Sequence, residues 1–85
     1  MSAVLKLKNK KQESFSVTPQ QRAEILHRHR LTERLVDEKE RLLITGISRS
    51  TWYRLEQEQR VPSSRKIDIK KRYLLSELLF FLEQN

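Results

Sequence analysis

The eleven residues Thr45-Gly46-Ile47-Ser48-Arg49-Ser50-Thr51-Trp52-Tyr53-Arg54-Leu55 decide the fold. Gly46, the only glycine in the chain, can take the left-handed conformation that ends one helix and turns the backbone. Ser48 is a strong N-cap, so a helix is expected from Arg49 to about Gln57. Trp52 and Leu55, three apart, share one face, which pairs inward with Ile47. Arg49, Ser50, Tyr53 and Arg54 then face outward. Upstream, Asp37 and Glu40 have the spacing of a capping box for a helix from Glu38 to about Ile44, with Leu42 and Leu43 as its buried face. Leu35-Val36 reads as a short extended lead-in. Two short helices joined by a tight turn, the second presenting arginine and hydroxyl side chains, form a helix-turn-helix pattern.

Downstream, Val61-Pro62 ends this unit. Lys66 to Ile69 and Arg72 to Leu75 alternate like strands, with a turn over Asp68 to Lys71, so a β-hairpin tipped with Lys70, Lys71 and Arg72 is expected. Ser76 reads as the cap of a last helix from Glu77 to about Gln84. That helix is apolar nearly all round, from Leu78 to Leu82. Upstream, Thr18-Pro19 with Gln21 is a helix start, and a helix over about 19–30 carries only Ala23, Ile25 and Leu26 as apolar residues. The surplus apolar residues of the last helix either cover that thin stripe or contact a neighbouring protomer.

The chain has 85 residues, enough for one small domain. We divide it into a flexible basic arm over 1–16 and a winged helix-turn-helix domain over 17–85 that includes the extra helix at 19–30. There is no cysteine, which removes disulfide scaffolds, thiolate zinc sites and thiol catalysis. The single glycine removes Gly-rich phosphate loops. His27 and His29 diverge by about 200° on a helix and cannot jointly chelate a metal. Asp37 and Glu40 serve a helix end, not acid–base chemistry. No cofactor, metal or enzymatic function is expected, and no stretch is apolar enough to span a bilayer.

The formal net charge is +7, from 18 Lys plus Arg against 11 Asp plus Glu. That favours a polyanionic partner. The distribution is uneven. Residues 60–72 carry Arg60, Arg65, Lys66, Lys70, Lys71 and Arg72 against Asp68 alone, and the first 21 residues carry four lysines against Glu13. The helix-turn-helix stretch is balanced. Arg49, Ser50, Tyr53 and Arg54 suit base edges and phosphates, and Ser48 and Thr51 suit a phosphate or the bracing of the turn. Arg65, Lys66, Lys70, Lys71 and Arg72 suit flanking phosphates or the minor groove. Each has a purely structural alternative: Tyr53 packing beside the hairpin, Arg72 supporting it, the cations guarding a strand edge.

The string T-G-I-S-R-S-T-W-Y-R-L, followed by Val61-Pro62 and by R-Y-L-L-S-E-L over Arg72 to Leu78, resembles the AlpA family of phage- and island-encoded DNA-binding regulators. The wider kinship is with excisionases and MerR-like winged-helix domains. Gln59-Arg60 and Ile69-Lys70-Lys71 stand where many members carry glycine. The resemblance implies a mainly α, winged helix-turn-helix fold with one small antiparallel β-hairpin wing. It implies double-stranded DNA as partner, with an excisionase role beside a tyrosine-type integrase and head-to-tail self-association on adjacent sites. It also implies a bacterial cytoplasmic setting. Promoter regulation is the alternative role, and a protein-interaction module using the apolar last helix is a further one.

Overall fold

The computed structural model describes residues 14–84. Its elements in chain order are α1 (Pro19–His29), β1 (Leu35–Val36), α2 (Glu38–Thr45), α3 (Arg49–Gln57), β2 (Arg65–Ile67), β3 (Lys70–Leu74) and α4 (Leu75–Gln84). The fold is mainly α with a helix-turn-helix and a β-hairpin wing, as the sequence implies. The arm expected over 1–16 lies for its first thirteen residues outside the described ones. Its end is held down: the Phe15 amide donates to the Gln59 carbonyl at 2.8 Å, and the Phe15 ring meets Phe80 and Phe81 edge-on.

Local signals act largely where the sequence puts them. Thr18 forms both halves of a capping box with Gln21, with Pro19 at the first helical position. Ser48 accepts from the Thr51 amide at 3.3 Å and starts α3. Gly46 ends α2 at φ 72°. Two other helix ends take the left-handed conformation without glycine, at Arg30 (φ 55°) and Gln59 (φ 58°). At each, paired backbone bonds close the turn, Leu31 to Leu26 with Arg30 to His27, and Arg60 to Leu55 with Gln59 to Glu56.

The core lies between α3, the sheet and α4. Trp52, Tyr73, Val36, Val61, Leu78 and Phe81 are buried there, with Trp52 edge-on to both Tyr73 and Phe81. Truncating Trp52 to alanine removes the ring that both neighbours pack on, a change that costs about 3–5 kcal/mol in such cores. Helix α1 lies against α4 and buries Ile25 completely. The apolar surplus of α4 therefore covers the thin stripe of α1, and Arg28 and His29 both reach Glu83 at 2.7 and 3.1 Å.

Five local expectations need correction. Leu42 and Leu43 are 42% and 74% exposed, and the buried face of α2 belongs to Arg41 and Ile44. The Asp37 cap fixes the helical phase, and three-four spacing then turns Arg41 inward. Its guanidinium is fully buried over the Trp52 ring, 4.6 Å from the centroid, and bonds Glu38 and the Ile47 carbonyl. Second, Asp37 caps through the Glu40 amide at 2.9 Å, but the Glu40 side chain turns to Arg34 at 2.7 Å. Third, β1 joins the hairpin, giving a three-stranded antiparallel sheet in the order β1-β3-β2. Fourth, the hairpin turns on Asp68-Ile69, between the facing pair Ile67 and Lys70. Asp68 supplies the positive φ (70°) of a two-residue loop, so Lys70, Lys71 and Arg72 lie on the returning strand. Fifth, Ser76 is not the cap of the last helix. The Leu75 amide already donates to the Arg34 carbonyl, and the Glu33 carboxylate accepts from the Ser76 amide at 3.0 Å and hydroxyl at 2.5 Å. A carboxylate distant in sequence thus satisfies the helix N-terminus.

Candidate nucleic-acid interface

Helix α3 presents the face assigned from spacing. Arg49, Tyr53 and Arg54 are largely exposed and Ser50 is exposed beside them. Trp52, on the opposite face, is anchored in the core and fixes the rotation of the helix. The hydroxyls of Ser48 and Thr51 bond each other at 3.1 Å, so these two brace the turn.

The wing stands beside this face. Arg49, Ser50 and Tyr53 share one open groove with Lys70, Lys71 and Arg72. The hairpin register puts Arg65 opposite Arg72 and Lys66 opposite Lys71. Like charges in facing positions destabilise a sheet by a few tenths of a kcal/mol to about 1 kcal/mol per pair. Opposed residues point to the same side, so both faces of the ribbon carry cations. Arg65 bonds Glu77 at 3.3 Å and Lys71 bonds Glu56 at 3.4 Å. Among the described residues no carboxylate lies within ion-pair reach of Lys66, Lys70 or Arg72; Arg72 instead donates to the Lys71 carbonyl at 3.0 Å. The arrangement leaves cations unneutralised on the wing despite its internal repulsion.

Residues that pattern reading did not single out organise the groove. The Tyr73 hydroxyl lies between Glu56 at 3.3 Å and Glu38 at 3.5 Å. Burial, and then the charges of Glu56 and Glu38, push its phenol well above the usual tyrosine range. Glu38 also meets the buried Arg41 and stands 4.0 Å from Arg49. Glu56 links α3 to the wing through Lys71. Three-residue spacing from Tyr53 places Glu56 on the wing-facing edge of α3, a signal that could have found it. Arg41 has no such signal: in sequence it is one more charged residue on a polar helix.

Among the described residues no group of His, Asp or Glu is placed to hold a metal, and no helix is long and apolar enough to cross a membrane.

The structure thus sets the exposed face of α3, the second helix of the helix-turn-helix, beside a cationic hairpin. Residues 34–74, which hold both helices and the hairpin, match the family of the prophage CP4-57 regulatory protein AlpA. Over that segment the chain is similar to the AlpA family, which is described as a prophage regulatory protein family. Comparison with curated proteins and with solved structures finds no match.

Proposed function

We propose that α3 enters the major groove of double-stranded DNA and that Arg49, Ser50, Tyr53 and Arg54 meet base edges or phosphates there. Arginine can bond guanine O6 and N7 together, which makes Arg49 and Arg54 the specificity residues of this reading. Ser48 and Thr51 hold the turn next to the phosphate backbone, near the amide-rich helix N-terminus. Arg65, Lys66, Lys70, Lys71 and Arg72 grip the adjacent backbone or the minor groove. The observation that carries the reading is the single groove lined by both the recognition face and the cations of the wing.

For the biological role we propose an excisionase, or recombination directionality factor, of an integrated element. Several copies bind adjacent sites, bend the DNA and direct a tyrosine-type integrase towards excision. The family's description as regulatory supports a second reading, control of a promoter by the same binding. Both place the chain with DNA in a bacterial cytoplasm. Footprinting across the attachment region of the host element and across its own promoter separates them. Protection of an array in the attachment region, with loss of excision on deletion, supports the first. Protection of the promoter alone, with altered transcript level and normal excision, supports the second.

A further inference from the structure

The tip of the wing presents an apolar side chain beside the exposed carboxylate of Asp68. The hairpin turns on Asp68-Ile69, and the left-handed conformation falls on Asp68. The second loop position makes no comparable demand on residue type. It holds Ile69, 87% exposed and the most exposed large hydrophobic side chain among the described residues. Ile67, at the end of β2, is 51% exposed. Neither residue belongs to the core, and Ile69 lies in the loop, so strand propensity does not account for it. Directly behind the tip stand Lys66, Lys70 and Lys71.

An isoleucine tip with cations immediately behind it complements a polyanion whose charged walls enclose an apolar interior. Duplex DNA seen from the minor groove has this character, with phosphates on both rims and stacked bases between them. The groove is about 6 Å wide, so it admits a single tip side chain more readily than the whole ribbon, whose strands are about 4.8 Å apart before side chains are added. We propose that Ile69 is an apolar wedge that enters the minor groove and partly unstacks one base step, while Lys66, Lys70 and Lys71 hold the phosphates on either rim. The inference rests on the DNA-binding reading above and adds a specificity element to it. Pyrimidine–purine steps unstack most easily, so the wedge selects such a step at the wing's position without a hydrogen bond to a base.

The test uses duplexes enriched by the unaltered protein from a randomised pool. 2-Aminopurine is placed in turn at each step of the footprint, and fluorophores at the ends report the bend. The unaltered protein is expected to enrich a TA or CA/TG step beside its major-groove contacts, to raise 2-aminopurine fluorescence there and to shorten the end-to-end distance. Ile69→Ser is expected to bind about tenfold more weakly, to lose both signals and the step preference, and to keep its salt dependence because the phosphate contacts remain. Ile69→Leu restores the signals. Thermal melting of both variants is expected to match the parent, since the side chain is exposed. An Ile69→Ser variant that bends and unstacks DNA like the parent overturns the proposal. So does a defect confined to probes with two adjacent sites, which assigns the tip to a second copy of the chain. So does Ile69-dependent binding to phosphatidylserine vesicles with DNA bending unchanged. If the unaltered protein enriches no duplex, the DNA-binding reading itself fails; if it enriches duplexes that show neither signal, only the wedge fails.

Discussion

Nζ of Lys71 on the wing stands 3.4 Å from Oε1 of Glu56 on α3, and the same carboxylate takes the Tyr73 hydroxyl through its other oxygen at 3.3 Å. One acidic side chain thereby ties the wing to α3. It also places a negative charge in the groove proposed to face DNA. Replacing it with an amide removes that charge and frees Lys71. Glu56→Gln is expected to tighten binding to random duplex a few-fold, most at low salt, because it removes a carboxylate from the groove. Anisotropy titrations at a series of salt concentrations check this.

Tyr73 supplies a pH dependence with a definite sign. Its phenol ionises less readily in the folded chain than in the unfolded one, because burial and the carboxylates of Glu56 and Glu38 oppose a third negative charge. A group raised in this way stabilises the fold fully below its unfolded pKa, about 10, and that stability is lost as pH rises beyond it. Tyr73→Phe lacks both the hydroxyl bond and the titration. The variant is expected to be about 1 kcal/mol less stable near neutrality, and the gap is expected to close above pH 10. Urea denaturation followed by circular dichroism at successive pH values measures it.

Arg41 tests the correction to α2. Its charge is fully buried among Glu38, the Ile47 carbonyl and the Trp52 ring. Arg41→Ala leaves a void beside Trp52 and releases Glu38, at an expected cost of about 2–4 kcal/mol in urea denaturation. Leu43→Ala, at the position first assigned to the buried face, is expected to change stability by less than about 0.5 kcal/mol.

Gln59 holds a left-handed backbone that costs a side-chain-bearing residue about 1 kcal/mol or more. Gln59→Gly is expected to stabilise the domain by about 1 kcal/mol and to leave DNA affinity unchanged. Paired denaturation and binding curves test both halves. This chain meets the left-handed geometry at Gln59 without a glycine.

Helix α3 and its exposed face were legible because their signals are local. Gly46, Ser48 and the Trp52–Leu55 face act within a few residues of one another, and no tertiary contact overrides them. The α2 face was misread because Leu42 and Leu43 look like core, and nothing near them in the sequence reveals that Trp52 offers a ring for a cation. Ser76 was misread for a similar reason: the group that satisfies its amide is Glu33, far upstream. The pairing of β1 with β3 is equally non-local. Wing cations were assigned correctly to the hairpin but not to their places in it, since the turn depends on one left-handed residue, Asp68. Glu56 and Glu38 escaped notice because their importance lies in what they face across the groove.

We propose a division of labour: the side chains of α3 read bases, and the wing cations hold phosphates. Its most direct test is one set of titrations, on an enriched duplex and on a random one, at several salt concentrations. Arg49→Ala and Arg54→Ala are each expected to weaken the enriched duplex by about 1–3 kcal/mol more than the random one. Lys66→Ala with Lys70→Ala is expected to weaken both duplexes alike and to flatten the salt slope by about two units. Equal losses on the two duplexes for the arginine variants, or an unchanged salt slope for the lysine pair, would contradict the account.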